Sequence, residues 1–461
     1  MRARWNARPV ARPPDGRARL KRWGLAASLG GFVFGYQLGV IGGALLSVRR
    51  DFGMGALQQG LLVSLLPLGA MAASVINGRL ADALGRRRTL LLDAVVFLIA
   101  AVLAALAPGP AVLLLSRGLA GLAVGSVSAT VPLYLSEIAP PALRGRLVAT
   151  NQVMITLGIL AAYLVALAFP SSWRTLFAVG LIPAGAFLLA VLRCPETPAW
   201  LLSHGNEEAA RRVLLEVVDD AEARRLLDAQ RAAPPAAVGA RARLRSIAGP
   251  PLMIGLTLAV LQQLSGINAV FSYAPSILEK TGLSASSSIL AAVLVAAVNV
   301  AATLVALPLV DRWGRRPLLL VSLAGMAGAL AMFGGTLAAD GGSGLSLVCL
   351  VAFILSFELG IGPIFWLLIA EIFRPDAKAV GVGACTAVNW LANFAVGLSF
   401  PSLAAWLGQG ETFWIFATAC ALGFAFVHRF VPETKERMFS EIEAELRARF
   451  VRSRFSPSSV G

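Results

Sequence analysis

Carboxamide side chains stand in one of the most apolar stretches of the chain. The stretch reads QQLSGINAV, residues 262–270, and it carries Gln262, Gln263 and Asn268. Each carboxamide has two N–H donors and a carbonyl acceptor to satisfy, and lipid hydrocarbon offers no partner for either. These side chains therefore either bond to neighbouring helices or face a wet cavity in which they bind a polar ligand.

The elements that must position these amides are helices that cross a membrane. Of the 461 residues, 57% are hydrophobic and only 14% are charged. Apolar runs of about 20 residues recur along the chain, and each is long enough to cross a ~30 Å hydrocarbon core as a helix. The sequence predicts twelve such spans, at residues 24–47, 57–79, 89–107, 111–133, 147–169, 174–192, 250–275, 286–310, 317–338, 345–370, 379–402 and 411–430.

The net charge of +15 could indicate nucleic-acid binding, but the distribution of the charges favours a membrane topology instead. If both termini lie on one side, the loops of the other side hold only Arg49, Arg50, Arg174 and Lys280, while Arg117 lies inside a span. Such an excess of Lys and Arg on one side is typical of cytoplasmic loops. We therefore predict a multi-pass protein of the plasma (cell inner) membrane with cytoplasmic termini, whose partner is the lipid bilayer and not nucleic acid.

Three motifs occur twice, in the same order. GRLADALGRR after the second span matches LPLVDRWGRR after the eighth, EIAPPALRG matches EIFRPDAKAVG, and PETPAW matches PETKER. A duplicated six-helix unit is a transporter architecture, with the substrate held between the two halves. The predicted parts are a basic arm at 1–23, a first bundle at 24–192, a helical cytoplasmic linker at 193–249, a second bundle at 250–430 and a cytoplasmic tail at 431–461.

The full set of motifs resembles the sugar porter family of the major facilitator superfamily. Besides the repeated motifs, the set includes FGYQLGVIGGALL, SRGLAGL, QQLSGIN, GPIFW and NWLANF. The resemblance covers nearly the whole chain. It implies an all-α membrane fold of twelve helices in two six-helix bundles, alternating access, and a monosaccharide or related polyol as cargo.

The chemistry of the matching residues fits such a cargo. Uncharged amides can pair with sugar hydroxyls, and indole rings can pack on the apolar faces of a sugar ring. In an ideal helix Gln263 and Asn268 would lie about 140° apart, so we expect the helix to break at Gly266. A second break is expected near Gly360. The resemblance implies a substrate site formed by Gln152, Gln262, Gln263, Asn268, Asn299, Trp366, Asn389 and Trp390.

Charged residues of the repeated motifs are expected to form inter-helix salt bridges that hold a cytoplasmic gate shut in the outward-facing state. The motif PETPAW departs from the family by carrying Ala199 where Arg is usual, and Ser272 replaces a usual Tyr in the outer lid. The predicted gate residues are Asp82, Arg86, Arg87, Glu137, Arg144 and Glu196 in the first half and Asp311, Arg315, Arg316, Glu371 and Glu433 in the second.

Energy coupling is predicted from a further departure. Gln37 stands where proton-coupled relatives carry Asp, and Arg117 matches the partner of that Asp. A carboxamide does not titrate at physiological pH, so facilitated diffusion is favoured. Asp93 is expected to pair with the arginines at 86–88, which leaves Glu358 as the rival proton carrier.

Alternatives to a uniporter are a proton-coupled sugar symporter and a sugar sensor that does not transport. The chain carries no phosphate loop, metal-ligand set or nucleophile constellation, so we predict no enzyme activity, cofactor or metal. The amide and indole set suits many cargoes, so the sequence leaves open the particular sugar and the oligomeric state.

Overall fold

The computed structural model describes residues 15–232, 249–339, 342–374, 378–437, 441–442, 444–446 and 449. It contains 12 helical stretches long and apolar enough to cross a membrane, which confirms the twelve predicted spans. No strand occurs in the described residues.

The spans are continuous helices except the sixth, seventh and tenth, each of which consists of two helices. The helices of the first half are α1 (Gly16–Phe52), α2 (Ala56–Leu84), α3 (Arg86–Ala105), α4 (Pro110–Ile138), α5 (Pro141–Ala168), α6 (Trp173–Val179) and α7 (Leu181–Leu192). Those of the second half are α11 (Pro250–Leu264), α12 (Ile267–Glu279), α13 (Ala285–Trp313), α14 (Arg315–Ala338), α15 (Ser343–Leu359), α16 (Ile361–Glu371), α17 (Lys378–Trp406) and α18 (Gln409–Phe430).

The first helix begins earlier than the sequence predicts. It starts at Gly16, within the stretch 1–23 that was expected to be a basic arm before the first span, and Leu20 is only 2% exposed. Arg and Lys are good helix formers, and the basic turn before the apolar run carries Leu20 toward the interior of the bundle. Residues 1–14 of the predicted arm lie outside the described part of the chain.

Two six-helix halves form the bundle and meet chiefly along spans two and eleven, five and eight, and one and seven. Spans one and five and spans two and four pack closely within the first half, as spans nine and twelve and spans nine and ten do within the second. Spans two and eleven, and spans five and eight, join the halves. Small residues permit these approaches, because a Cβ added at Gly60 would collide with the carbonyl of Leu398.

Three short helices of the linker, α8 (Pro198–Ser203), α9 (Glu207–Leu215) and α10 (Asp220–Ala232), lie at the end of the bundle where α1 begins. Arg19 of α1 forms an ion pair with Glu216 at 3.2 Å. The linker helices are therefore attached to the first half. The rest of the predicted linker, residues 233–248, lies outside the described residues.

Candidate functional site

The seventh span breaks at the glycine that the sequence predicts. Between α11 and α12, Gly266 has φ +83°, a left-handed conformation that favours glycine. The break rotates the second segment, so that the Nδ2 group of Asn268 donates to Oε1 of Gln263 over 2.7 Å. Two side chains that a straight helix would hold on different faces therefore meet.

The carboxamides of spans seven and eleven form one hydrogen-bonded network. Gln263 Nε2 donates to Asn389 Oδ1 at 3.1 Å and to Gln262 Oε1 at 3.3 Å. Asn389 Nδ2 in turn donates to Gln262 Oε1 at 2.8 Å. Gln262, Gln263 and Asn389 are 3%, 4% and 2% exposed. Since their polar atoms are largely paired with one another, these amides hold each other in fixed orientations.

The tenth span is also interrupted, and the seventh span supports the break. Gly360 separates α15 from α16. Gln262 Nε2 donates to the carbonyls of Ile361 at 3.0 Å and Gly362 at 3.2 Å, and the N–H of Ile361 donates to Ser322 Oγ at 3.1 Å. Backbone groups released by a broken span must find partners of this kind. Gln262 therefore links the amide network to the broken helix.

Several polar groups beside this network have no protein partner in the described part of the chain. Buried Asn299 leaves Oδ1 unpaired, and buried Trp390 leaves its indole N–H unpaired. Trp390 packs against Phe34 of span one, with ring centroids 5.9 Å apart, so it lies where the halves meet. Gln152 is half-buried and Trp366 is 39% exposed.

Glu358 lies two residues before the break at Gly360 in span ten. It is 4% exposed, and its Oε2 lies 3.0 Å from Thr303 Oγ1 of span eight. The same hydroxyl lies 2.9 Å from the carbonyl of Asn299. The hydroxyl has a single proton, so when Thr303 donates to the Asn299 carbonyl it can accept a hydrogen bond from the O–H of a protonated Glu358.

Arg117 and Gln37 meet in the first half, as the family pattern implies. Arg117 is 2% exposed and donates from Nη1 to Gln37 Oε1 at 3.2 Å and from Nη2 to the Gln37 carbonyl at 3.1 Å. Its Nε has no partner within the described residues, and no carboxylate there pairs with it. The guanidinium is thus held by neutral oxygens alone.

The gate residues of the first half form a compact network at the end of the bundle near the linker. Arg86 pairs with Glu137 at 3.1 Å and with Asp82 at 3.0 Å. Glu196 accepts the backbone N–H groups of Arg86 at 2.9 Å and Arg87 at 3.1 Å. A carboxylate at this place caps the start of α3, where the free N–H groups and the helix dipole both favour negative charge.

The second half repeats this network. Arg315 pairs with Glu371 at 2.8 Å, and Glu433 accepts the backbone N–H groups of Arg315 and Arg316, both at 3.0 Å. Partial burial alone would raise the pKa of Glu433, but these N–H groups and those of two neighbouring residues outweigh it and hold the pKa below its usual range.

The ion pairs among these residues join neighbouring helices, and their role as a gate stays a prediction. Every ion pair of the set in the described residues lies within one half and none joins the halves, since each arginine reaches the carboxylate of its own repeat. Arg144 is exposed and forms no ion pair in the described part of the chain. The side chain of Asp311 is not among those that the structure describes. The missing Arg at Ala199 is partly offset, because Trp200 Nε1 donates to the carbonyl of Asp82 at 2.8 Å.

The ion pair and the side-chain hydrogen bonds that join the halves in the described residues lie at the opposite end of the bundle, and the sequence did not predict them. Arg49 at the end of span one pairs with Glu279 at the end of span seven, at 3.2 Å. The hydroxyl of Tyr163 in span five donates to the carbonyl of Phe271 in span seven. Only the positions of Arg49 and Glu279 at span ends could have pointed to such a pair.

Asp93 does not pair with Arg86, Arg87 or Arg88, so that expectation is wrong. It is 4% exposed, and its Oδ2 lies 2.9 Å from Ser126 Oγ of span four. The side chains of Arg86 and Arg87 bond instead to Glu137 and to backbone carbonyls of the sixth span, because the arginines lie at the first turn of α3, whereas Asp93 lies two turns deeper.

Two six-helix halves with a buried network of amides on broken spans define a membrane transporter of the major facilitator architecture. The chain belongs to the family described as "Sugar (and other) transporter", whose model matches residues 23–446. It is 38% identical to the "Glucose transporter GlcP" of Staphylococcus epidermidis over 92% of this chain and 97% of that one. It is 36% identical to the "Galactose-proton symporter" of Escherichia coli K12 over 91% and 93% of the two chains.

A solved structure with the same fold is the xylose transporter XylE from Escherichia coli, described as partially occluded inward open. The TM-score is 0.81 at 28% identity, over 91% of this chain and 100% of that one. Membership of this family confirms the predicted resemblance, and with it a transporter rather than an enzyme.

Proposed function

We propose that the protein moves a monosaccharide or related polyol across the membrane by alternating access. The observation that carries this proposal is the amide network next to the unpaired polar groups of Asn299 and Trp390, between two halves of a sugar-transporter fold. A sugar hydroxyl both donates and accepts, so it can satisfy an indole N–H and an amide oxygen together. Relatives named for glucose and galactose fit the same cargo class.

Within this site the residues have two roles. Gln262, Gln263 and Asn389 fix one another and the broken spans, and Asn268 projects from the network with its carbonyl oxygen free to accept. The remaining members of the predicted set, Gln152, Asn299, Trp366 and Trp390, supply open polar atoms and ring faces. A preorganised set of this kind loses little conformational entropy when the sugar binds.

We also propose that both termini lie in the cytoplasm and that the protein resides in the plasma (cell inner) membrane, because the positive-inside pattern applies to every loop. The Arg49–Glu279 and Tyr163–Phe271 contacts then close the outer end of the bundle. The substrate cleft would open toward the cytoplasm in this state. The motif networks would keep each half rigid while the halves rock. In this proposal the two bundles move, and the predicted arm, linker and tail lie in the cytoplasm.

Transport is proposed to be facilitated diffusion. A proton symporter needs a group in its path that exchanges a proton between the two sides, and Gln37 beside Arg117 cannot titrate. The symporter alternative is kept because Glu358 is buried next to the cleft residue Asn299 and can carry a proton.

The test is uptake of a panel of labelled monosaccharides and polyols into proteoliposomes, with and without an imposed pH gradient. We expect one or more of them to equilibrate across the membrane, with no accumulation above the external concentration. Accumulation that a protonophore abolishes would refute the uniport, and loss of that accumulation in Glu358→Gln would assign the proton to Glu358. Binding without uptake or counterflow would indicate a sensor.

A further inference from the structure

Four buried polar side chains form a cluster inside the first half, away from the substrate cleft. Asp93 of span three, Asn77 of span two, and Ser126 and Thr130 of span four are at most 5% exposed. Span three packs chiefly against spans one, two, four and six, all of the first half. The cluster therefore has no part in the substrate site described above.

The hydrogen bonds of the cluster determine where its protons lie. Ser126 Oγ is 2.9 Å from Asp93 Oδ2 and 2.8 Å from Asn77 Oδ1, but its hydroxyl has one proton to donate. An amide oxygen only accepts. The carbonyl of Ser126, 3.4 Å from Asn77 Nδ2, orients that amide with its oxygen toward the Ser126 hydroxyl. In this orientation both contacts are hydrogen bonds at once only if Asp93 is protonated and its O–H donates to Ser126, which then donates to Asn77. Asn77 Nδ2 continues the chain by donating to Thr130 Oγ1 at 2.9 Å.

No cation in the described residues compensates an ionised Asp93. The buried titratable groups of the neighbouring helices all bond elsewhere: Arg117 bonds to Gln37, Tyr134 donates to the carbonyl of Pro195, and Tyr36 donates to that of Leu176. No charged group at the ends of the packed helices forms an ion pair with Asp93 in the described part of the chain; these groups are Arg17, Arg19, Lys21, Arg22, Arg49, Arg50 and Asp51 of span one, Arg79 and Asp82 of span two, Arg86, Arg87 and Arg88 of span three, Glu137 of span four, and Arg174 and Arg193 of span six. An unpaired carboxylate in this apolar bundle would be strongly unfavourable.

We propose that Asp93, with Ser126, Asn77 and Thr130, is a proton-binding site separate from the transport path, occupied at neutral pH and emptied at alkaline pH. Loss of the proton leaves a carboxylate that competes with Asn77 for the hydroxyl of Ser126. The hydrogen-bonded chain that joins spans two, three and four is then broken, so the first half loosens and transport falls. The site does not depend on which solute is carried.

Asp93→Asn is the decisive variant, because an asparagine can donate an N–H to Ser126 as the neutral acid does but cannot ionise. The infrared difference spectrum between wild type and this variant at neutral pH should contain the C=O stretching band of a protonated carboxylic acid. Ser126→Ala should shift that band without removing it, since the carboxyl loses its acceptor. Carboxylate bands in place of the acid band, or an unshifted band in Ser126→Ala, would overturn the proposal.

A second measurement tests the alkaline switch without any substrate. The unfolded chain gives up the proton of Asp93 near pH ~3.9, whereas the fold keeps it, so the melting temperature of wild type relative to Asp93→Asn should fall by about 1–2 °C for each pH unit from there up to the titration point of Asp93 and level off above it. Uptake by wild type should decline as the pH rises through that titration point while uptake by the variant persists. Parallel curves for the two proteins would refute the switch. The melting measurement needs no sugar, so it still tests the role of Asp93 if the protein carries a different class of solute.

Discussion

Truncation of the amide network should weaken substrate binding far more than it weakens the fold. Gln263→Ala removes the side chain that bonds Asn268, Gln262 and Asn389 at 2.7, 3.3 and 3.1 Å. Asn268→Ala removes the half-buried amide that bonds to Gln263 from the second segment of span seven. In each variant polar groups of the substrate or of the network are left unpaired in a secluded site, at a cost of about 1–3 kcal/mol.

That free energy corresponds to an affinity loss of about five- to hundredfold. The assay is titration of purified protein with the best sugar of the uptake panel, read by intrinsic tryptophan fluorescence and by calorimetry. Melting temperatures are recorded with and without sugar. Gln58→Ala is the matched control, because Gln58 is an exposed amide at the start of span two, outside the cleft.

The control should bind as wild type does. Unchanged affinity in both Gln263→Ala and Asn268→Ala would refute the reasoning and place the substrate site elsewhere. A large fall in melting temperature without selective loss of affinity would mean that the amides only bond helix to helix. That is the alternative left open by the sequence, in which polar residues of membrane bundles connect neighbouring spans.

Three further changes test the elements around the site. Glu371→Gln removes the ionic partner of Arg315 and should slow sugar exchange more than it weakens sugar binding. The variant should favour inward-facing states, so cysteine labelling of the outer cavity should fall. Increased labelling would count against the proposed gate. Gly266→Ala would hold an alanine in a left-handed conformation, and its Cβ would collide with Phe416. We expect this variant to be destabilised by about 1–3 kcal/mol in thermal unfolding. The control is Gly335→Ala, which should be near neutral because nothing lies close to the added Cβ. Because the pKa of Glu433 is lowered in the fold, its stabilising effect should be complete above pH ~4.3 and disappear as pH falls below that value. The free energies of unfolding of wild type and Glu433→Gln should therefore converge at low pH. A difference between them that stays constant with pH would refute the assignment.

The sequence was sufficient for the spans and for the break in span seven, because both follow from local rules. An apolar run of about 20 residues specifies a spanning helix wherever it occurs. Two polar residues five positions apart cannot share a face of an ideal helix, so Gln263 and Asn268 together required a break, and Gly266 was the residue that permits one.

Contacts between distant spans could not be read in the same way. Asp93 has arginines close by in sequence, yet its partner is Ser126, because lateral packing of spans three and four decides which groups meet. No rule of sequence spacing predicts such pairs, and nothing near Ser322 indicates that its hydroxyl supports the backbone of Ile361. The family pattern predicts which residues form a gate, but it does not predict their pairing, which lies within each half in the described residues.

The distribution of helix breaks suggests how the two halves divide the work of transport. Carboxylates cap the starts of α3 and α14 in matching networks, so both halves have equally fixed ends near the linker. The breaks at Gly266 and Gly360, with non-helical backbone at the cleft, occur in the second half alone, whereas Gly180 in span six keeps helical dihedral angles, φ −59° and ψ −19°. Since Gln262 joins the two broken spans directly, a sugar that pulls on the amide network would move both together, and the first half would serve as the rigid wall against which they close.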